Sequence, residues 1–332
     1  GSPTTGTNAL IAEQTGTQSS FEIGGGLAFD SKFAPGQISI GSSNLVIAGK
    51  LGVTELGPIS SGQVDLFAGT SVDIGGGLSW SSTGATGFML SGGEVNVGGK
   101  VALLGGSGEL TVEGANLNIG GITASGGITP SGLGSGVFNL TFQGAPLHVN
   151  GSLTLSNFSA VLMNGIGVIG GKVAIANTPT VLINNTDNFS GAHLSIGGSL
   201  SIAAPQHSTS APSNQFEISS LNVGGSVSVT GNVFGDLVVV TDSSIFGSAK
   251  FNLGAGSQTL VIEQAQSTDQ MLIAGTLAVN LGGIGNQFIV TDANNPTAVL
   301  VLGATTITAP SALSDTFTDP SYLFALPIKI KA

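Results

Sequence analysis

Short runs of alternating apolar and polar residues, broken by glycine, recur along the chain. The segment from Val95 to Leu103 reads VNVGGKVAL, and close variants are FEIGGGLAF at residues 21–29 and LSIGGSLSI at residues 194–202. Such alternation is typical of a β-strand with one buried face. Glycine between two strands indicates a sharp turn, and we expect its backbone to adopt positive φ angles there.

This phrase is an internal repeat. Eleven copies align on one glycine each, and successive aligned glycines lie 20 to 30 residues apart, with a mean of 25. The anchors are Gly25, Gly49, Gly76, Gly99, Gly121, Gly151, Gly171, Gly198, Gly225, Gly247 and Gly275. A third short apolar segment precedes most phrases, such as GVFNLTF at residues 136–142. Three short strands that turn the same way in each repeat predict one rung of a parallel β-helix.

The pattern therefore predicts an all-β, single-domain parallel β-helix (β-solenoid) of about 11 rungs with about 25 residues each. We expect right-handed coiling, because parallel crossovers are almost always right-handed. Residues 1–20 are expected to be an N-terminal cap or tag remnant, and residues 21–287 the repeats. Residues 288–332 are expected to be a C-terminal cap or the start of a following module. We expect the whole chain to be a segment of a longer protein.

Composition narrows the possible partners. Only 8% of the 332 residues are charged and 41% are hydrophobic, which predicts a folded chain with an uncharged polar surface. The 7 basic residues are all lysine, and the net charge is −11. Nucleic-acid binding needs a basic stripe, so it is not expected. No apolar run approaches the roughly 18 residues that cross a bilayer, so membrane insertion is not expected either.

One outward column of the repeat contains several of the lysines. Here a column means the residues at equivalent positions in successive rungs. Immediately after the anchors, the column reads Gly26, Lys50, Gly77, Lys100, Ile122, Ser152, Lys172, Ser199, Ser226, Ser248 and Thr276. Lysines never occupy adjacent rungs, which avoids contacts between like charges. We interpret this column as a tolerant surface.

No catalytic residue, cofactor or metal site is predicted. A polysaccharide-cleaving β-helix needs clustered carboxylates on neighbouring rungs. Asp65 and Asp73 lie eight residues apart, and Glu109 and Glu113 lie four apart with both side chains expected to point outward. The chain has no cysteine, and the spacing of its three histidines gives no metal-binding motif.

Four residues are candidates for ligand contact: Trp80, Glu109, Glu113 and His207. Trp80 lies in the segment SWSSTGATG, where an exposed indole could stack on a sugar, although core packing is the favoured interpretation. His207 lies in AAPQHSTSAPSNQ, the most distinctive loop. Loops of irregular length in solenoids often form the binding side.

The phrase L-x-I-G-G-x-L-x-I, recurring from Phe21 to Val279, resembles the β-solenoid regions of bacterial surface proteins. These include autotransporter passengers, filamentous-haemagglutinin-like adhesins and large repetitive exoproteins. The resemblance concerns architecture and composition, and it carries no functional residue across. It implies secretion and a role at the cell surface or in an extracellular matrix.

These observations predict a non-enzymatic, extracellular structural or adhesin-like rod. Its partners would be further copies of itself, through end-to-end or lateral assembly, or surface glycans. The alternatives are a carbohydrate-binding or polysaccharide-cleaving β-helix, and an ice-binding protein. Ice binding would require a regular Thr-x-Thr column, which the threonines around Thr305, Thr306 and Thr308 do not form.

Overall fold

A computed structural model of the chain describes residues 8–13, 20–31, 36–55, 63–82, 87–105, 109–125, 136–142, 147–183, 193–205, 214–233, 235–265, 271–283, 285–292, 299–309, 316–318 and 328–331. In these ranges the regular structure is entirely β-strand, and every strand pairing with a defined register is parallel. The predicted all-β parallel β-solenoid is therefore confirmed, and the 11 predicted rungs come close to the number of turns present. No helix in the described ranges could span a membrane.

The chain divides into two compact units, whereas the repeat predicted a single domain. The first unit comprises residues 1–129 and 134–162, and the second comprises residues 130–133 and 163–332. Each unit contains the same three-strand rung, so the division does not change the fold class.

The first unit contains β1 (Asn8–Glu13), β2 (Ser20–Ile23), β3 (Leu27–Ser31), β4 (Gly36–Ile47), β5 (Leu51–Glu55), β6 (Gln63–Ile74), β7 (Leu78–Ser82), β8 (Gly87–Gly105), β9 (Glu109–Ser125), β10 (Val137–Phe142), β11 (Leu147–Val149) and β12 (Leu153–Ser156). The long strands β4, β6, β8 and β9 pair in that order. The shorter strands β3, β5 and β7 form a second column that joins β8.

β13 (Ala160–Asn164) spans the boundary between the units. The second unit contains β14 (Gly167–Ile169), β15 (Val173–Ala176), β16 (Thr180–Ile183), β17 (Leu194–Ile196), β18 (Leu200–Ala203), β19 (Asn214–Ser219), β20 (Leu221–Val223), β21 (Val227–Thr230), β22 (Asp236–Thr241), β23 (Ser244–Ile245), β24 (Ala249–Leu253), β25 (Thr259–Gln264), β26 (Met271–Ile273), β27 (Leu277–Leu281), β28 (Gln287–Asp292), β29 (Val299–Val301), β30 (Thr305–Thr308), β31 (Thr316–Thr318) and β32 (Ile328–Lys331).

In the second unit each strand pairs with the strand three places further along the chain, which gives three parallel ladders. The pairing of β30 with β32 is the exception. One ladder contains β14, β17, β20, β23, β26 and β29. The second contains β15, β18, β21, β24, β27, β30 and β32. The third contains β16, β19, β22, β25, β28 and β31.

The alternation of the sequence places one apolar column of each ladder in the core. On the third ladder of the second unit, Phe216, Val238, Leu260 and Phe288 stack in register and are each 0% exposed. The residues between them, such as Glu217, Val239, Val261 and Ile289, are less buried. Burial of each such side chain stabilises the fold by about 1.5–3 kcal/mol relative to leaving it exposed.

The anchor glycines also form a ladder, which confirms most of the alignment. Gly198 N–H donates to the Gly171 carbonyl at 3.0 Å, and Gly225 N–H donates to the Gly198 carbonyl at 2.8 Å. The same bond joins Gly247 to Gly225, so the weakest repeat phrase is correctly aligned. The ladder continues to Gly303, which lies beyond the predicted repeat region and was not part of the alignment.

Positive φ is not the reason for these glycines. The φ angles of Gly49, Gly198 and Gly225 all lie outside the range from +20° to +160°. The prediction of a left-handed backbone at these glycines is therefore wrong. A Cβ atom on Gly198 would instead lie 2.9 Å from the backbone of Gly171 and Lys172. Glycine is needed because the corner of one rung lies directly against the corner of the rung before it.

One position of the alignment needs correction. Gly121 pairs with Lys100, and Ile122 pairs with Val101 and is 1% exposed. The anchor of this rung is Gly120, whose Cβ would lie 2.6 Å from the Gly99 carbonyl oxygen. The turn is one residue shorter than in the preceding rung, so Ile122 belongs to the core and Gly121 takes its place in the outward column.

The parallel ladder extends beyond the predicted repeat region at residues 21–287. β1, within predicted cap residues 1–20, pairs with the start of β4. β32, within residues 288–332, pairs with β30. The strands in these two segments therefore continue the ladder of the unit to which each belongs.

We expect Gly198→Ala to lower the thermal midpoint of unfolding, because its new methyl group would meet backbone atoms that cannot rotate away. Overpacking of this kind costs about 1–3 kcal/mol. Gly25→Ala is the matched control, since a Cβ at Gly25 would have no neighbour within 4 Å. Circular dichroism during heating measures both variants, and equal midpoints would contradict the close-packing explanation.

Candidate functional site

A groove of about 590 Å³ runs along the outer face of the first unit. Its floor consists of Ala28, Gly52, Ser79 and Ala102, and its rim carries Lys50 and Lys100. We call this feature the lysine groove. It crosses four successive rungs, so it is open in the direction in which the strands stack.

Strand register explains why the floor is flat. Ala28 pairs with Gly52, Gly52 with Ser79, and Ser79 with Ala102. These residues alternate with inward-pointing side chains such as Leu51, which is 0% exposed. With only hydrogen, methyl or hydroxymethyl side chains at these four positions, the backbone itself forms the floor.

Glycine and lysine alternate along the rim. After correction of the alignment, the column reads Gly26, Lys50, Gly77, Lys100 and Gly121. Rungs stack about 4.8 Å apart, so the two lysine Cα atoms lie about 10 Å apart. A Cβ on Gly76 would lie 2.8 Å from Lys50 Cγ, so the lysine stem lies against the next corner. Gly76 thus leaves room for the Lys50 side chain, whereas a Cβ on Gly26 or Gly77 would meet the backbone of Lys50 or Lys100.

The chemistry of the groove is that of two point cations above an uncharged floor. Lysine ammonium groups bind carboxylate, sulfate or phosphate oxygens through charge-assisted hydrogen bonds. The lysine spacing is visible in the sequence, where it was interpreted as a tolerant surface. The available signal was the combination of alternating lysine and glycine with a second column of small residues two positions later.

The same column has a different role in the second unit. Ser226 N–H donates to Ser199 Oγ at 3.2 Å, and Ser248 N–H donates to Ser226 Oγ at 3.1 Å. Thr276 extends the series with N–H and Oγ1 bonds to Ser248 Oγ. Here the column is a hydroxyl ladder that pairs with backbone N–H groups.

A polar network lies on another face of the first unit. Asp73 accepts hydrogen bonds from Ser71 Oγ at 3.0 Å and from Asn96 Nδ2 at 2.7 Å. A register shift between Ala68 and Ser71 separates Asp73 from Asp65 within β6. The hydrogen bonds of the network therefore satisfy the Asp73 carboxylate. Asp73 and Asp65 lie on different segments of β6, so they do not form a carboxylate pair on one segment.

Trp80 lies in the core, so its choice as a candidate for ligand contact is wrong and core packing is its role. Its side chain is 1% exposed, and its ring centroid lies 5.9 Å from that of Phe88 with the planes tilted by 42°. Trp80 points inward because it pairs with Val53 and Leu103 on the buried side of β7. The indole therefore offers no face for sugar stacking.

Glu109 is exposed and hydrogen-bonded. Its Oε1 accepts from Thr111 Oγ1 at 3.1 Å and from Asn139 Nδ2 at 3.4 Å. Glu113 lies four residues along β9, about 13 Å away between Cα atoms in extended backbone. Carboxyl pairs in glycosidases are typically about 5–9.5 Å apart, so the backbone does not favour this pair as a catalytic one.

The remaining candidates do not form a cluster in the described ranges. His207 lies outside these ranges, as does the side chain of Glu113. His148 is exposed on β11 of the first unit, whereas His193 belongs to the second unit. Across the described residues, no group of three or more His, Cys, Asp or Glu side chains is placed to hold a metal ion.

Threonines do not recur in register around Thr306. The neighbouring members of its column are Ala278 on one side and Lys329 on the other. This face of the second unit consequently has no Thr-x-Thr array at Thr306 of the kind that ice binding would require.

The chain matches no protein-family model, no curated protein and no solved structure. The likeness to bacterial surface solenoids therefore rests on the repeat pattern alone, and the fold is that of a parallel β-solenoid.

We expect the fluorescence of Trp80, the only tryptophan of the chain, to report a buried indole. Native emission should be blue-shifted and weakly quenched by iodide, because the ring lies in an apolar core. Unfolding in guanidinium should shift the emission to the red and restore quenching. Strong iodide quenching of the folded protein would contradict the core position.

Proposed function

We propose that the protein is a non-enzymatic, extracellular structural or adhesin-like solenoid that binds anionic surface glycans in the lysine groove. The observation that carries this proposal is the pair of lysines, two rungs apart, above one strip of small residues. This function combines a repetitive scaffold with a weak, extended binding surface.

The shape of the groove favours an extended ligand. A polysaccharide chain can lie along the stacking direction and place its ring faces on Gly52 and Ser79. The separation of the two lysine Cα atoms, about 10 Å, is comparable with the length of a disaccharide unit. An acidic sugar in every second residue would then meet Lys50 and Lys100 in turn.

Charge favours local rather than long-range recognition. The chain carries a net charge of −11, so a polyanion is repelled at a distance and attracted only at the lysines. Such contacts between exposed groups are screened at a Debye length of about 8 Å in physiological salt. Binding should therefore be weak for one groove and strongly dependent on ionic strength.

The surface role is supported by the composition of the outer faces. On the ladder of β18, β21 and β24, outward columns hold mainly Ser, Thr, Asn and Ala, and successive rungs present them repeatedly. The pattern resembles adhesin and autotransporter solenoids, which is an argument by analogy. Stalk, adhesin segment and matrix component are all compatible with this arrangement.

We expect the Lys50→Gln/Lys100→Gln double variant to lose about two- to thirtyfold in affinity for a uronate-rich polysaccharide, measured by glycan array or affinity electrophoresis. Loss of two contacts between exposed charges, at roughly 0.2–1 kcal/mol each, gives this range. Raised salt should weaken wild-type binding in the same direction.

Lys172→Gln/Lys250→Gln is the matched control, because it changes the net charge equally outside the groove. Equal losses of affinity in both double variants would mean that net charge alone determines binding, and would contradict binding in the lysine groove. Cleavage of the polysaccharide by wild type, absent in Glu109→Gln, would support the enzymatic alternative instead.

Self-association is a second candidate role, favoured by an exposed apolar corner of the second unit. Phe246 is 58% exposed and Leu302 is 46% exposed, with Ala274 between them in the same corner column. Leu272 and Leu300 lie beside them on the adjacent outward column. Contiguous apolar surface of this kind marks contact sites in soluble proteins.

We expect Phe246→Ser/Leu302→Ser to reduce any growth of apparent mass with protein concentration in small-angle scattering. Val233→Ser is the control, since Val233 is 57% exposed at a different corner. A wild-type mass that does not change with concentration would count against self-association, and would leave glycan binding unaffected.

A further inference from the structure

A ladder of buried polar side chains runs through four successive rungs of the second unit. Asn214, Asp236, Gln258 and Asn286 occupy equivalent positions at the start of β19, β22, β25 and β28. Their exposures are 0%, 3%, 0% and 0%. We call this set the Asp236 ladder.

Side-chain oxygens in the ladder accept backbone N–H groups from the preceding rung. Asp236 N–H donates to Gln258 Oε1 at 2.6 Å, and Gln258 N–H donates to Asn286 Oδ1 at 3.0 Å. Asn286 Nδ2 donates in turn to the Gly283 carbonyl at 2.6 Å. The ladder thus pairs backbone groups at a corner where the strand hydrogen bonds begin.

Asp236 is the one acid in a series of amides. Its Oδ1 accepts from Asn214 Nδ2 at 2.5 Å, and its Oδ2 accepts from Asn232 N–H at 3.1 Å. A backbone hydrogen bond from Gly254 also reaches the carboxyl group. A buried carboxylate normally has a cation beside it, but the hydrogen-bond partners of the Asp236 carboxyl group are all uncharged.

The charged residues of the surrounding strands point away from Asp236. Glu217 on β19, Lys250 on β24 and Glu263 on β25 occupy outward positions, each next to buried neighbours. His207 lies outside the described residues, and the experiment below therefore includes it. No described titratable group of β19, β22, β24 or β25 faces the carboxyl group.

Two side-chain atoms of the ladder, Asn214 Oδ1 and Gln258 Nε2, are buried without a hydrogen-bond partner among the described residues. A protonated Asp236 can keep its contact with Asn214 by donating its O–H to Oδ1 after a flip of that amide, which moves the unpartnered position to Nδ2. Its Oδ2 would still accept from Asn232 N–H. The hydrogen bonds of the ladder therefore accommodate the neutral acid as well as the carboxylate.

We propose that protonation of Asp236 stabilises the folded state of the second unit. In its neutral form the carboxylic acid stays hydrogen-bonded within the amide ladder, and in its ionised form it places a charge in the core with only uncharged groups as hydrogen-bond partners. The solenoid would therefore be more resistant to unfolding in mildly acidic than in neutral or alkaline surroundings.

The direction of the pH dependence follows from burial. Desolvation raises the pKa of Asp236, and the hydrogen bonds from Asn214, Asn232 and Gly254 only partly oppose this shift. The folded chain therefore holds this proton at a pH where the unfolded chain has released it. The stability from Asp236 is fully present below the unfolded pKa and is lost as pH rises through the folded pKa.

Asp236→Asn tests the proposal, because asparagine has the same shape and permanently lacks the charge. We compare thermal midpoints of wild type, Asp236→Asn, Glu217→Gln and His207→Gln between about pH 3 and pH 8, so that the acidic end lies below the pKa of about 3.9 of an unfolded aspartate. Asp236→Asn should exceed wild type by about 2–4 °C at the alkaline end and converge with it at the acidic end. The two other variants should follow the wild-type curve.

Infrared difference spectra provide the second readout. Wild type should show the carbonyl band of a buried protonated carboxylic acid at a pH where ordinary aspartates are ionised, and Asp236→Asn should lack it. The band remains decisive if Asp236→Asn fails to fold, because wild type shows its disappearance as pH rises. A wild-type spectrum without this band, or a constant difference in midpoint at all pH values, would overturn the proposal.

Discussion

The hydrogen-bond repeat between parallel strands is the constraint on which the rest of the structure depends. It fixes successive rungs about 4.8 Å apart, and every side chain therefore has a neighbour at the same position one rung away. At the corners this distance leaves no room for a Cβ atom, as the 2.9 Å approach at Gly198 demonstrates. The glycine repeat is thus a consequence of stacking rather than of backbone conformation.

The same constraint makes the column the unit of function. One outward column holds Lys50 and Lys100 above glycine in the first unit, and Ser199 and Ser226 paired with backbone N–H groups in the second. A buried column holds Asp236 among amides. In each case the chemistry results from what lies one or two rungs away, so a single residue in this fold has little meaning without its register.

This explains which parts of the structure could be predicted. Strand alternation identified the core faces, and the phrase around Gly247 was placed correctly despite its weak match. Ile122 was assigned to the wrong column because a turn shorter by one residue cannot be recognised from one sequence. The lysine groove and the Asp236 ladder were missed for a related reason. Both consist of residues from several rungs, and each requires register and burial to be known together.

Low charge and the use of amides and hydroxyls follow from the same geometry. A charged residue repeated in a column would meet its like at about 5 Å, which is unfavourable for either sign. Lys50 and Lys100 avoid this cost by alternation with glycine, and both line one groove. Asp236 lies inside the core, where its column offers no comparable arrangement that lowers the cost of a charge. Its charge can be removed only by a proton, so the ladder that stabilises four rungs also makes them respond to pH.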